Sequence, residues 1–256
     1  MRASVAELGE ALAFNRSGGI IDDLPLQLIS SEQMAEEVQD AALAAMDDNV
    51  AGYFATATIP ATRRILQCEV PLFGPLAASS LLPSHSHFRL PPGVLGAEWS
   101  LGLLMGDSYP DPHRPVTLAL IEEAIIGCVP MITILGRRVR GGVPLNSWTA
   151  TADFGLHVAS VRGAPAFDRH LADLKGLEVV ASMNGAVVGR SRGERVMSDI
   201  REAIASLSLY LARRSRQVPP GNLIAIGGGP LILQAVVGQA FTADFGGLGA
   251  VEVVFG

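Results

Sequence analysis

The chain has 256 residues, 19 Lys+Arg against 25 Asp+Glu, a formal net charge of −6, and 49% apolar against 17% charged residues. Such high hydrophobicity with so little charge excludes a disordered chain, and the acidic balance argues against nucleic-acid binding, whose footprint is a basic excess. Two cysteines, Cys68 and Cys128, are too few for a disulfide framework and read as small buried residues in a reducing, cytoplasmic compartment.

The opening MRASVAELGEALAF carries Glu7 and Glu10 where a signal peptide needs an unbroken apolar run. No stretch of about 18 uncharged apolar residues marks a membrane span. The first 50 residues read as helix. Ser31 supplies a start signal, followed by Met34, Val38, Leu43 and Met46 at helical spacing. From Val50 onward, short β-rich runs alternate with Gly/Pro punctuation: AGYFATAT, VPLFGPL and VLGAEWSLGLLMG. PVTLALIEEAIIG reads as a helix leading into the buried run CVPMITIL. LEVVASMNGAVVG reads as two strands joined at Asn184-Gly185, a dipeptide suited to a two-residue turn that needs positive φ twice. A long amphipathic helix over 195–213 has Val196, Ile200, Ile204, Leu207 and Leu211 as its buried stripe, with Arg213 and Arg214 at its carboxyl end. The remainder, PPGNLIAIGGG to AVEVVFG, reads as strands separated by glycine turns. The plan is α+β in a single domain over 1–256: a helical segment (1–49) leaning on a β-rich body (50–256).

In this order the segments resemble the 2-keto-4-pentenoate hydratase and 4-oxalocrotonate decarboxylase group of the fumarylacetoacetate hydrolase superfamily. AGYFATAT lies where that group has Gly-Tyr-Lys-Ile-Gly, VPLFGPL matches Pro-Asp-Phe-Gly-x-Leu, and GAEWSLGLLMG matches a Glu-x-Glu strand. VPMITILGRR matches Pro-Ala-Leu-Glu-Ile-Val-Asp-Ser-Arg, and TADFGLHVASVRG matches Ala-Asp-Asn-Ala-Ser. The resemblance implies a mixed β-roll with a helical amino-terminal portion, homo-oligomers, and a magnesium-type ion held by three carboxylates to bind a 2-keto acid and stabilise its enolate.

The chain departs from that pattern at its chemistry. Gly96 replaces the first Glu of the pair and only Glu98 is kept. Thr133 replaces the third carboxylate, Phe54 the lysine and Leu72 the aspartate. One carboxylate is a poor substitute for three around a hydrated dication, so the expectation is no metal and no other cofactor. Magnesium would return only if Asp153, Glu122 or Glu123 supplied the missing ligands.

The expected catalytic residues are Glu98, as general acid/base, and Asp153 with His157, four apart, the carboxylate orienting the imidazole. The expected substrate-binding residues are Tyr53, Phe54, Leu72, Thr133, Gly227, Gly228 and Arg138, the last as a partner for a substrate carboxylate. Each has a plainer alternative: a helix cap for Asp153, a satisfied half-buried imidazole for His157, packing for Tyr53 and Thr133, a surface cation for Arg138. His85 and His87 read as a solvated hairpin, and Trp99 and Trp148 as core or pocket walls. The expected function is lyase, isomerase or cyclase chemistry on an enolisable keto acid or β-dicarbonyl compound, in secondary metabolism. The alternatives are a catalytically silent subunit that stabilises an active partner, and an ordinary magnesium-dependent hydratase. A small-molecule substrate and a homo-oligomer or paired enzyme subunit are the expected partners, with no nucleic acid and no membrane.

Overall fold

A computed structural model describes residues 4–18, 23–140, 143–167, 171–227 and 232–256. Six helices are described: α1 (Val5–Gly18), α2 (Glu32–Met46), α3 (Pro60–Leu66), α4 (Leu118–Ala124), α5 (Ser147–Ala152) and α6 (Gly193–Arg213). The strands are β1 (Val50–Thr56), β2 (Leu72–Ala77), β3 (Leu81–Pro83), β4 (Ser86–Phe88), β5 (Val94–Met105), β6 (Ile125–Gly136) and β7 (His157–Arg162). They continue as β8 (Ala166–Phe167), β9 (Glu178–Met183), β10 (Ala186–Arg192), β11 (Leu223–Gly227), β12 (Ala240–Asp244) and β13 (Ala250–Phe255).

The large mixed sheet runs β2-β1-β11-β5-β6-β7-β3, with β8 also on β6, and the small sheet runs β10-β9-β12-β13-β4. The expected α+β roll with a helical amino-terminal portion is the fold found. Its spine is the long antiparallel pair β5–β6, in register from Gly96 against Leu135 to Leu104 against Gly127.

Period-two alternation gives the large sheet two unlike faces. One face, with Tyr53, Ala55, Trp99, Leu101, Leu103, Ile132 and Ile134, packs against the small sheet and α6 to make the main core. Trp99 meets Phe245 edge-on there at 5.9 Å. The other face carries Phe54, Leu76, Met131, Leu135 and Ala225, together with the polar residues described below. The amino-terminal helices form their own cluster, Leu8, Leu12, Val38 and Ala42 against Val139, Ala152 and Phe154. Ser31 caps α2, its hydroxyl accepting from the Met34 amide.

In α6 the spacing-derived stripe is buried at Ile200, Ile204, Leu207 and Leu211; Val196 lies outside the residues whose side chains are described. Asn184 and Gly185 both take positive φ, 49° and 79°, as the turn between β9 and β10 requires. The helix expected to run through Ile125–Gly127 ends instead at Ala124, and Ile125 is already extended. The paired β-branched residues Ile125 and Ile126 favour the pleated strand that continues to Gly136. Trp99 is core, but Trp148 is 39% exposed, which corrects its reading as a core or pocket wall. His85 and His87 flank or lie in the short strand β4, and His85 is exposed beside Glu252 at 3.4 Å.

Candidate active site

The site is built from the second face of the large sheet. Strand partners directly opposite one another share a face. Glu98 stands opposite Thr133, Thr133 opposite Ser160, and Ser100 opposite Gly227. Phe54 joins the same face through Ala225 on β11. Glu98 is only 7% exposed. Gly227 leaves room for it: a β-carbon there would lie 2.3 Å from Glu98 Oε1. Thr58 donates its hydroxyl to the Gly227 carbonyl at 2.6 Å and so fixes the end of β11.

Beside Glu98 runs a line of buried hydroxyls. Ser100 Oγ is 2.7 Å from Thr133 Oγ1, Thr133 Oγ1 is 3.1 Å from Ser160 Oγ, and Ser160 Oγ is 2.9 Å from His157 Nε2. All four residues are fully buried. Burial, with Arg16 and Arg138 adding to it, holds the His157 imidazole well below its ordinary pKa, so it is neutral. Its Nδ1 has no partner. An unpaired acceptor is cheaper than an unpaired buried N–H, which assigns the proton to Nε2. The donations then run from His157 to Ser160 to Thr133 to Ser100, so the Ser100 hydrogen is not used within the line.

A second polar cluster lies beyond the end of β6. Asp153 accepts from Arg16 Nη1 at 3.0 Å and from the Arg138 amide at 2.7 Å. Arg16 also donates to the His157 carbonyl at 2.6 Å and stacks over Phe154. Asn15 donates to the Arg138 carbonyl at 2.8 Å. Burial dominates both partners of the ion pair: it pulls Arg16 down to about 10 and pushes the Asp153 carboxyl up.

The expected residues thus divide. Glu98, Thr133, Phe54 and Gly227 share one face, with His157 reaching it through the hydroxyl line. Asp153 does not orient His157, because its oxygens go to Arg16 and the Arg138 amide. The segment between them is not a helix: Phe154, Gly155 and Leu156 all have positive φ, 56°, 64° and 67°, and β7 starts at His157. Tyr53 points to the opposite face, edge-on to Tyr210, and burial raises its pKa. Leu72 packs beside Leu66 and Leu156, away from Glu98. Gly228 lies outside the described residues. Sequence reasoning missed Ser100, Ser160 and Arg16. The first was recoverable, being two residues from Glu98 on one strand; Arg16 carried no local signal.

Comparison with solved structures settles the architecture. The chain superposes on 4-oxalocrotonate decarboxylase from Pseudomonas putida G7, complexed with magnesium and adipate, with a TM-score of 0.85 over 98% of this chain and 97% of that one, at 22% identity. The chain has the fumarylacetoacetate hydrolase fold. The same decarboxylase complexed with calcium and acetate gives a TM-score of 0.84 at 22% identity, covering 98% of this chain and 96% of that one. Fumarylpyruvate hydrolase from Pseudomonas aeruginosa, in complex with Mn2+ and pyruvate, gives 0.58 at 15% identity over 79% of this chain and 88% of that one. No protein-family model and no curated protein sequence matches the chain.

The magnesium, calcium and manganese in those similar structures overturn the expectation that this chain has no metal and no other cofactor. The three-carboxylate cage itself does not fit this chain. At Gly96 a β-carbon would meet the Leu233 carbonyl oxygen at 2.3 Å and the Ile232 side chain at 2.7 Å, so no longer side chain has room there. Leu233 is held in that place by two backbone hydrogen bonds to Ala97, each 2.8 Å. Thr133 is committed to its hydroxyl neighbours. Among the described residues no group of three or more His, Cys, Asp or Glu could hold an ion.

Proposed function

We propose that the chain is an enzyme acting on a small enolisable oxo acid or β-dicarbonyl compound, with lyase, isomerase or cyclase outcomes that all begin with proton transfer at carbon. The observation that carries this is the Glu98 carboxylate, 7% exposed, on the face that also bears the Ser100–Thr133–Ser160–His157 line. The similar structures support it, since they include a decarboxylase, an isomerase and a hydrolase.

Glu98 as carboxylate takes the proton from the carbon beside the carbonyl, and as carboxylic acid returns it to the product carbon. The Ser100 hydroxyl, fed by the donations from His157, can hydrogen-bond the oxygen on which negative charge develops. The neutral imidazole at the far end fixes the direction of that line and does not itself ionise.

A second reading has its own observation. Phe54 is fully buried where the resembling group has lysine, packed with Leu76, Met131 and Leu135 on the same face. A silent subunit that stabilises an active enzyme would keep such packing. A homo-oligomer belongs to either reading, and light scattering on the purified chain measures it.

The deciding experiment is deuterium exchange at carbon in D2O, followed by proton NMR, with a panel of 2-oxo acids and β-dicarbonyl compounds. Exchange above the buffer rate, reduced at least about 100-fold in Glu98→Gln, is the expected result. Wild-type exchange no faster than buffer across the panel overturns the enzyme reading and favours the silent subunit.

A further inference from the structure

Away from Glu98, a cleft of about 590 Å³ opens between the end of α1, the β2–β3 turn, the loop 88–92 and the ends of β6 and β7. That is the size of a small-ligand pocket. Met46, Leu82, Phe88, Leu90 and Val158 give it apolar walls, Arg16 and Arg138 line it from the polar cluster, and the exposed Arg89 lines it as a third cation. No acidic residue lines it.

The charge in this wall does not balance. Arg16 and Arg138 are both almost wholly buried, and Asp153 is the single carboxylate paired with either among the described residues. Asp153 forms its ion pair with Arg16. Arg138 offers it only the backbone amide, and the Arg138 guanidinium reaches the Pro92 carbonyl at a long 3.3 Å. The Nε–H of each arginine has no acceptor. Buried charges and donors left in this state are costly, and an anion entering the cleft would relieve both.

We propose that this cleft binds the carboxylate of a small organic acid with an apolar body. The guanidinium of Arg138, backed by that of Arg16, holds the planar anion, and the aliphatic and aromatic walls hold its chain. A free phosphate would meet the same cations but leave the apolar walls uncovered. The site is separate from the chemistry assigned to Glu98 and stands or falls independently of it.

Isothermal titration of the full chain with hexanoate and adipate tests the proposal. Hexanol and inorganic phosphate serve as comparators. Saturable binding of hexanoate below about 10 mM is expected, unchanged in Glu98→Gln and weakened at least tenfold in Arg138→Gln. Arg138→Lys, which keeps the charge but loses the planar fork, should weaken it severalfold while keeping the wild-type circular dichroism. No saturable binding of either acid, equal binding of hexanol, displacement of hexanoate by equimolar phosphate, or full binding in folded Arg138→Gln overturns it.

Discussion

A β-carbon on Gly227 would stand 2.3 Å from Oε1 of Glu98 and 3.1 Å from its Cδ, so the last residue of β11 is bare at the place where the carboxylate rests. Its φ is not in the left-handed region, so Gly227→Ala is a purely steric change. The Glu98 side chain is what must give way. Gly227→Ala is expected to lower stability by about 1–3 kcal/mol and to lose as much carbon-exchange activity as Glu98→Gln. Combined with Glu98→Ala, the second substitution should cost far less than it does alone; urea denaturation of the four proteins measures that coupling.

Arg16 and Asp153 sit at the junction of α1 with the end of α5, both almost inaccessible. Removing one charge strands the other. Arg16→Gln is expected to cost about 3–5 kcal/mol. Arg16→Gln with Asp153→Asn should recover a substantial part of that loss, because no lone carboxylate is left behind. Denaturant midpoints of the single and double variants provide the comparison.

His157 gives the stability a defined pH slope. Its native pKa is depressed below 6.5 by burial, so below that value the unfolded chain binds a proton that the native chain refuses. The stability is fully present above about pH 6.5 and falls as the pH drops, by up to about 1.4 kcal/mol per unit. Asp153, whose native carboxyl is raised by burial, works in the opposite sense: the native chain protonates it first as the pH falls. The measurement is therefore the difference between wild type and His157→Gln across pH 7.5 to 5, in which Asp153 is common to both. The wild type should lose more stability over that range than the variant does.

Thr133 both donates and accepts in the hydroxyl line. Thr133→Val keeps its shape and leaves Ser100 and Ser160 each without one partner. It should cost about 1–3 kcal/mol, and Thr133→Ser much less. If the donations run toward Ser100 as assigned, Thr133→Val also slows carbon exchange while Glu98 is intact. An unchanged exchange rate in a folded Thr133→Val protein would remove the line from the reaction.

What the amino-acid order revealed follows from the range of the interactions concerned. Alternation along β5 placed Glu98 on a buried strand; the same alternation puts Ser100 on its face, but that serine was missed because a hydroxyl on an apolar strand carries no signal of its own. Helical spacing found the stripe of α6, because Ile200 to Leu211 repeat every three or four residues against one core. The boundary at Ile125 was misread because Ile-Ile continues a helical pattern and suits a strand equally well. The supposed Asp153–His157 pair failed for a backbone reason: three successive positive φ values reverse the chain between them. Arg16 was invisible because its carboxylate partner is 137 residues away, a distance no periodicity reports. The order of segments led to the fold; the ligand pattern did not carry over with it, since Gly96 has the Leu233 backbone against it.

The amino-terminal helix therefore contributes more than a lid of apolar residues. Through Arg16 it supplies a cation to the interior and one flank of the organic-acid cleft. A tag, clip or shortened expression plasmid that disturbs α1 would leave a buried carboxylate without its counter-ion and the cleft short of a wall, so protein trimmed to the β-roll would be a misleading stand-in for the whole chain in any binding assay.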